Sequence, residues 1–281
     1  MTKTAVLLGG DRRQSCLARQ LQACGFAVRT CGVPGCPDTA PTLPACVPGA
    51  ELLILPMPAL RAPDRIRAAP DDLPLAPTLD AAAPDALVCG GLLDAAVPAL
   101  QAHSLRWFDY ARDETLALEN AELTAEAALP PLLARLPCPL RGSRILILGF
   151  GRIGKCLARK LQSLGAAVTV ASRRTEDRAW CAALGYRPEQ THVYAQGLTY
   201  DCVLNTVPAP VFTEAQLAAL RCPLIDLASA PVGLPPACDP PKLYQRAPGL
   251  PGRFAPERAA RILKETTLRI LSEEQEALWN P

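Results

Sequence analysis

Gly149, Gly151 and Gly154 stand where an apolar run, Ile145–Leu148, gives way to a helical pattern of Ile153, Leu157, Leu161 and Leu164. Gly-x-Gly-x-x-Gly in that setting is a pyrophosphate-binding turn. The first glycine allows the tight turn, the second lets phosphates approach the backbone, and the third lets helix and strand pack closely. Unpaired N–H groups and the dipole at the helix start then hold the anion. Arg152 and Ile153, inside the same turn, are cofactor contacts by position. A second apolar strand, Ala166–Ala171, follows the helix stop at Gly165 and ends in Ser172-Arg173-Arg174. A dinucleotide site usually carries an acidic residue about twenty residues on, for the ribose hydroxyls. Here a hydroxyl and two guanidinium groups stand instead, which suits a 2′-phosphate through charge-assisted hydrogen bonds. The chemistry expected is nicotinamide redox chemistry with NADP, and NAD is the less favoured cofactor. The alternative for these arginines is a solvated turn.

Other side chains fall at the carboxyl ends of apolar strands, where open parallel sheets collect ligands. Asn205 ends Asp201–Asn205 and offers a donor and an acceptor to nicotinamide or substrate; Thr206, Val207 and Pro208 continue along the cofactor. Asp226 ends Pro223–Asp226 and supplies a carboxylate. Gly249 lies in a glycine loop open to close backbone approach. Arg12, Arg13 and Gln14 follow Gly9-Gly10-Asp11 at a second helix start and would hold an anion such as a carboxylate. Asn120 and Thr124, four residues apart, share a helix face and complete the candidate substrate contacts. For each of these, ordinary turn and capping chemistry is the competing explanation.

The elements that must position these residues repeat. Gly9–Gln22 aligns with Gly149–Gln162, and each stretch follows an apolar strand and leads through a glycine, Gly25 or Gly165, into another strand. In the first copy Asp11 replaces Gly151 and Gln14 replaces Gly154, so only the second copy should take a pyrophosphate. Two further apolar runs, Glu51–Leu55 and Ala86–Gly90, interrupt a proline-rich stretch from Pro34 to Pro98 and fit buried parallel strands with proline-rich loops at their ends. The fold class expected is α/β, with two Rossmann-like doubly wound parallel-sheet domains joined by a connector helix. The divisions are a substrate-side domain at 1–115, the connector at 116–140, the NADP domain at 141–254, and a C-terminal helix at 255–281 that crosses back to the first domain.

Composition excludes several classes. The formal net charge is +2, no basic run occurs and aromatics are 5% of the chain, so nucleic acid meets neither a field nor a stacking platform. No apolar stretch approaches a membrane span, and the start leads into a strand pattern instead of a cleavable signal, which points to the cytoplasm. Twelve cysteines include no C-x-x-C, and the two histidines, His103 and His192, lie away from any cysteine pair. No metal site is expected; the cysteines read as free thiols. Dehydrogenases of 2-hydroxy acids with this domain order use a late histidine as base, and no histidine follows His192. Shikimate dehydrogenases use an early Lys–Asp pair, and Lys3 is the only lysine before Lys155.

The stretches Gly9–Gln14, Asn120–Glu126, Gly149–Lys155, Asn205–Ala209, Ile225–Ser229 and Ala247–Arg253 resemble, in order, the dipicolinate synthase A-subunit family. The proline-rich region matches least, and Pro231–Gly233 departs from the glycine-rich continuation of that family. The resemblance implies an oxidoreductase in the mother-cell cytoplasm of a sporulating bacterium. Its reaction would be NADP-dependent dehydrogenation of a dihydrodipicolinate-type dicarboxylate to dipicolinate, with the flavoprotein-like B-subunit of dipicolinate synthase as partner. On that reading Arg12 and Arg13 hold carboxylates, Asn205 orients the reactants and Asp226 accepts the proton. Another NADP-dependent small-carboxylate dehydrogenase, and a non-catalytic cofactor-binding scaffold protein, are the alternatives. A homo-oligomer is left open.

Overall fold

A computed structural model describes residues 3–39, 43–191, 200–229 and 232–279. His192 and Pro231 lie outside them. The chain divides into two compact units, Met1–Glu119 with Ala255–Pro281, and Asn120–Phe254.

The first unit is built on a five-stranded parallel sheet, ordered Ala27–Cys31, Thr4–Leu8, Leu52–Ile54, Leu87–Gly90, Arg106–Asp109. The two strands from the proline-rich stretch lie inside the sheet and are wholly buried, which is why they are continuous apolar runs with no alternation. Between them the prolines do more than loop. Leu60–Ala62, Arg65–Ile66 and Leu73–Pro74 form a small antiparallel sheet that the spacing did not suggest. Helix Pro256–Trp279 belongs to this unit and packs on helix Arg12–Ala23. Gln20 Nε2 donates to the Glu257 carbonyl (3.0 Å), Arg19 pairs with the Glu257 carboxylate, and the buried Tyr110 hydroxyl meets Thr267 Oγ1 at 2.6 Å.

The second unit carries six parallel strands in the order Arg187–Glu189, Ala167–Ala171, Arg144–Leu148, Cys202–Asn205, Leu224–Asp226, Tyr244–Arg246. That is the strand order of a dinucleotide-binding sheet, whose direction of growth reverses between Arg144–Leu148 and Cys202–Asn205. Leu157 and Leu161 of helix Arg152–Ser163 are fully buried in one core with Ile145 and Ile147, each worth about 1.5–3 kcal/mol relative to exposure. The segment read as one connector helix is two, Glu114–Ala127 and Leu129–Leu133. Pro130 and Pro131 cause the break. Proline is compatible with the first turn of a new helix but not with the interior of an old one.

The repeat is structural as well as textual. Each copy has a five-residue strand, a twelve-residue helix and a five-residue strand. In both, the leading glycine donates to the end of the next strand: Gly9 N to Cys31 O and Gly149 N to Ala171 O, each at 2.9 Å.

At the opposite end of the second sheet, Asp201 accepts from Arg144 N (2.7 Å) and Arg144 Nη2 (3.2 Å). The backbone bond from Arg144, then its side chain, hold this carboxyl below its ordinary value of 3.8. A depressed folded-state value means that the bond stabilises the fold above that pH and is lost as the pH falls through the lower one. Asp201→Asn should therefore flatten the acid limb of a pH–stability curve while leaving the neutral-to-alkaline limb parallel to the parent, as thermal melts would read.

Candidate functional site

The glycine turn of the second unit has the three properties its spacing predicts. Gly149 adopts φ +92°, and a Cβ there would meet Thr206 Oγ1 at 2.7 Å and Val207 Cγ2 at 2.9 Å. A Cβ on Gly154 would lie 2.2 Å from Gly149 O, so helix and strand are packed through it. A Cβ on Gly151 would meet nothing within 4 Å. Gly151 is also the helix N-cap and makes no side-chain cap bond. The helix start is thus left with donors for an outside anion, and open space lies where the anion would approach. Lys155 adds a cation one turn on, with Nζ 5.4 Å from the centre of the Phe150 ring. Thr206 closes the switch point: its N–H and hydroxyl both donate to Leu148 O, at 3.0 and 2.8 Å. A dinucleotide fits this turn. Gly149, Gly151, Arg152, Ile153 and Gly154 line it, and Thr206, Val207 and Pro208 follow the adjacent strand end.

The loop after Ala167–Ala171 separates the three residues read for the 2′-phosphate. Arg173 is exposed, and its guanidinium has no hydrogen bond or ion pair among the described residues. Arg174 is exposed but has Glu176 at 3.7 Å. Ser172 is buried, and its hydroxyl donates to Asp177 Oδ2 at 2.8 Å. A hydroxyl whose one proton is committed cannot also donate to a phosphate. Ser172 is therefore corrected from phosphate donor to loop anchor. Arg178, which the spacing did not single out, fixes the backbone that presents Arg173: its Nη1 donates to Ser172 O (2.9 Å) and Arg173 O (2.8 Å).

The strand-end pair read as catalytic has another role. Asn205 and Asp226 are both fully buried, and Asn205 Nδ2 donates to Asp226 Oδ1 at 2.9 Å. The rest of the Asn205 amide is spent on Val207 O and Val207 N, each at 3.1 Å. Asp226 also accepts from Ala228 N (3.0 Å), Gly233 N (2.9 Å) and the Tyr244 hydroxyl (3.1 Å). Burial first, and then the Asp226 charge, keep the Tyr244 hydroxyl well above the usual phenol range, so it stays a donor. A Cβ on Gly233 would sit 2.7 Å from Asn205 Nδ2, so the loop can close on the pair only through glycine. With every lone pair directed at a protein donor and no exposed surface, Asp226 is not a proton acceptor for a ligand. Asn205 has no free group for nicotinamide. Both are corrected to a buried clamp that joins two strand ends to the loop at Gly233.

In the first unit Asp11 caps its helix, accepting from Arg13 N at 2.9 Å. Burial pushes its carboxyl up, but the Arg13 side chain more than offsets this and holds it below the ordinary value. Arg13 is spent in turn: its guanidinium pairs with Asp11 Oδ2 (2.7 Å) and donates to Met57 O (2.6 Å). The turn is filled by the chain itself. Gly10 N donates to Arg67 O (2.8 Å), and a Cβ on Gly9 would lie 2.2 Å from that same oxygen. This copy therefore has neither the space nor the free helix start for a pyrophosphate. Arg12 is exposed and without an ion pair among the described residues. Gln14 is 3% exposed and points its amide at strand ends instead of solvent. Thr124 donates to Asn120 O (2.7 Å) and is buried, so its hydroxyl serves the helix; Asn120 is half-buried. Gly249 is exposed at φ +63°, with open space beside it.

All twelve cysteines are unbridged, and burial pushes Cys181 and Cys222 up to about 11 and Cys202 up to about 12. Cys181, Cys202 and Cys222 are buried core thiols. Among the described residues no group of three His, Cys, Asp or Glu is placed to hold a metal, and no helix is long and apolar enough to cross a membrane.

Known proteins divide at the same place as the chemistry. Residues 4–111 match the N-terminal domain of the dipicolinate synthase A-subunit, and residues 132–221 match the NAD binding domain of D-isomer specific 2-hydroxyacid dehydrogenases. The dipicolinate synthase A-subunit of Bacillus subtilis (strain 168) is 29% identical over 171 residues. That is 59% of this chain, and the chain spans 57% of that relative's length. The fold is shared with two solved structures. The dipicolinate synthase A-subunit from Bacillus halodurans superposes with a TM-score of 0.81 at 24% identity, over 96% of this chain and 97% of that one. The corresponding dipicolinate synthase structure from Bacillus subtilis gives 0.79 at 23% identity, over 99% and 98%. The second domain is thus of the nicotinamide-nucleotide-binding dehydrogenase type, which supports an NAD(P)-dependent oxidoreductase. With a first domain that matches the N-terminal domain of the dipicolinate synthase A-subunit and a second that matches a dehydrogenase NAD binding domain, this chain is similar to the dipicolinate synthase A-subunit.

Proposed function

We propose that this chain is an NADP-dependent dehydrogenase that converts a dihydrodipicolinate-type dicarboxylate into dipicolinate. It would act with the dipicolinate synthase B-subunit, in the mother-cell cytoplasm of a sporulating bacterium. The observation that carries the nucleotide reading is the turn at Gly151: open space, an uncapped helix start, and a strand order that reverses beside it. The names of the relatives support the substrate and the partner. NADP⁺, when bound, supplies the hydride acceptor. The chain's residues bind and orient: the turn from Gly149 to Gly154 holds the pyrophosphate, Arg173 holds the 2′-phosphate, and Arg12 offers its unpaired guanidinium to a carboxylate. Orientation of two reactants is the larger part of what a protein adds to hydride transfer.

Asp177, held by Ser172, supports the competing cofactor, because a carboxylate near the ribose opposes a second phosphate. Arg173→Ala separates the two. NADP affinity should fall at least tenfold, about 1.4 kcal/mol, with NAD affinity unchanged. A parent that prefers NAD, or a variant that still prefers NADP as strongly, overturns the assignment. The substrate reading is tested by supplying NADP⁺ and freshly generated dihydrodipicolinate, with and without the B-subunit, and following ultraviolet absorption of the pyridine. Product from the isolated chain excludes a scaffold role.

A further inference from the structure

The loop after strand Ala167–Ala171 carries charges of both signs. From Ser172 to Arg178 stand three arginines, Arg173, Arg174 and Arg178, against two carboxylates, Glu176 and Asp177. Arg174 has Glu176 at 3.7 Å, and Ser172 donates to Asp177. Charges so nearly balanced, and screened by salt, separate a 2′-phosphate from a hydroxyl poorly. Discrimination between NADP and NAD then falls to where the donors are placed.

Arg178 fixes that placement. It is the fourth residue of helix Thr175–Ala183 and reaches back to the loop. Nη1 donates to Ser172 O at 2.9 Å and to Arg173 O at 2.8 Å, and Nη2 donates to Thr175 Oγ1 at 3.1 Å. The guanidinium thus spends most of its donors on the chain itself. In a trans peptide the C=O and the N–H point in opposite directions. With the carbonyls of Ser172 and Arg173 both turned to Arg178, the N–H groups of Arg173 and Arg174 are turned away from it. Neither N–H has an acceptor among the described residues, so both are donors open to an anion.

The internal repeat supplies the contrast. The bonds of the leading glycines match Ala171 to Cys31, and therefore Ser172 to Gly32. In the first copy a carboxylate holds the loop: Gly32 N donates to Asp38 Oδ1 at 2.7 Å, so an N–H is turned inward. The copy without a pyrophosphate turn is held through a donor, and the copy with one is held through acceptors. We infer that Arg178 is a positioning residue for NADP. It does not touch the nucleotide, but holds two peptide units so that the Arg173 guanidinium and the N–H groups of Arg173 and Arg174 meet the 2′-phosphate. The inference rests on the cofactor reading and adds to it the residue on which the preference depends.

Calorimetric titration of the full chain with NADP⁺ and with NAD⁺ tests this, on the parent, Arg178→Met and Arg178→Lys. Arg178→Met should weaken NADP⁺ by about tenfold or more, the scale of one lost charge-assisted hydrogen bond, and leave NAD⁺ within about twofold of the parent. Arg178→Lys keeps the charge but loses the planar fork that serves both carbonyls and Thr175 together, and should behave like Arg178→Met. Thermal melts read folding; should Arg178→Met fail to fold, Arg178→Lys carries the same test. An Arg178→Met variant that keeps the parent's preference overturns the proposal. So does an Arg178→Lys variant that keeps it, because charge alone then suffices. Equal weakening of both nucleotides, the mark of a merely structural residue, overturns it as well. A parent that prefers NAD⁺ overturns the cofactor reading itself, so the two failures are told apart.

Discussion

Gly151→Val should fold almost as well as the parent and bind nicotinamide dinucleotide at least a hundredfold more weakly. The two effects separate because of what surrounds that position. Nothing lies within 4 Å of where the new side chain begins, and Gly151 has an extended backbone (φ −75°, ψ −168°) that any residue adopts. Losing glycine at a helix N-cap costs about 1 kcal/mol or less, yet the valine side chain occupies the approach of the phosphates. Gly154→Ala, three residues on, should behave oppositely. Its Cβ would meet a backbone oxygen at 2.2 Å, and relieving that contact requires helix or strand to move, at about 1–3 kcal/mol for overpacking. Thermal melts and nucleotide titration on both variants give the comparison. If Gly151→Val binds dinucleotide like the parent, the anion is not held at this turn, and the oxidoreductase reading loses its main support.

Asp226→Asn should be among the most destabilising single-atom changes available in the second unit. The carboxylate accepts from four donors belonging to Asn205, Ala228, Gly233 and Tyr244, and both of its oxygens are used. An amide turns one oxygen into an NH₂ group that faces two of those donors, and it removes the charge that strengthens the remaining bonds. Breaking such a buried network costs about 3–5 kcal/mol, a large share of an ordinary domain's stability. Urea titration should show the midpoint falling accordingly. The measurement also discriminates between roles. A proton acceptor exchanged for its amide would leave stability near the parent's while turnover disappeared, whereas a clamp loses stability first.

The match of the second domain to a 2-hydroxyacid dehydrogenase NAD binding domain sits beside a sequence with no histidine after residue 192. Fold and cofactor domain can be inherited without the base that defines the better-known reaction, because binding a nucleotide depends on backbone geometry while proton transfer depends on one side chain.

The geometry of the glycine turn was legible in the sequence itself, because its three requirements fall within six consecutive residues and each concerns a missing side chain. The repeat between Gly9–Gln22 and Gly149–Gln162, and the replacement of Gly151 by Asp11 that disqualifies the first copy, were equally local. The buried runs at Leu52–Ile54 and Leu87–Gly90 showed as strands because parallel sheets covered on both faces leave continuous apolar segments. What the tertiary structure alone decided was how polar groups pair. Asn205 and Asp226 have the composition of a catalytic pair, and only Gly233 and Tyr244, 28 and 18 residues from them in turn, turn them into a clamp. Gln14 meets Ile54, and Gly10 meets Arg67, across separations that spacing does not encode. A hydrogen bond is satisfied by whichever partner the fold brings close, so the chemistry of a strand end remains undetermined until its distant neighbours are in place.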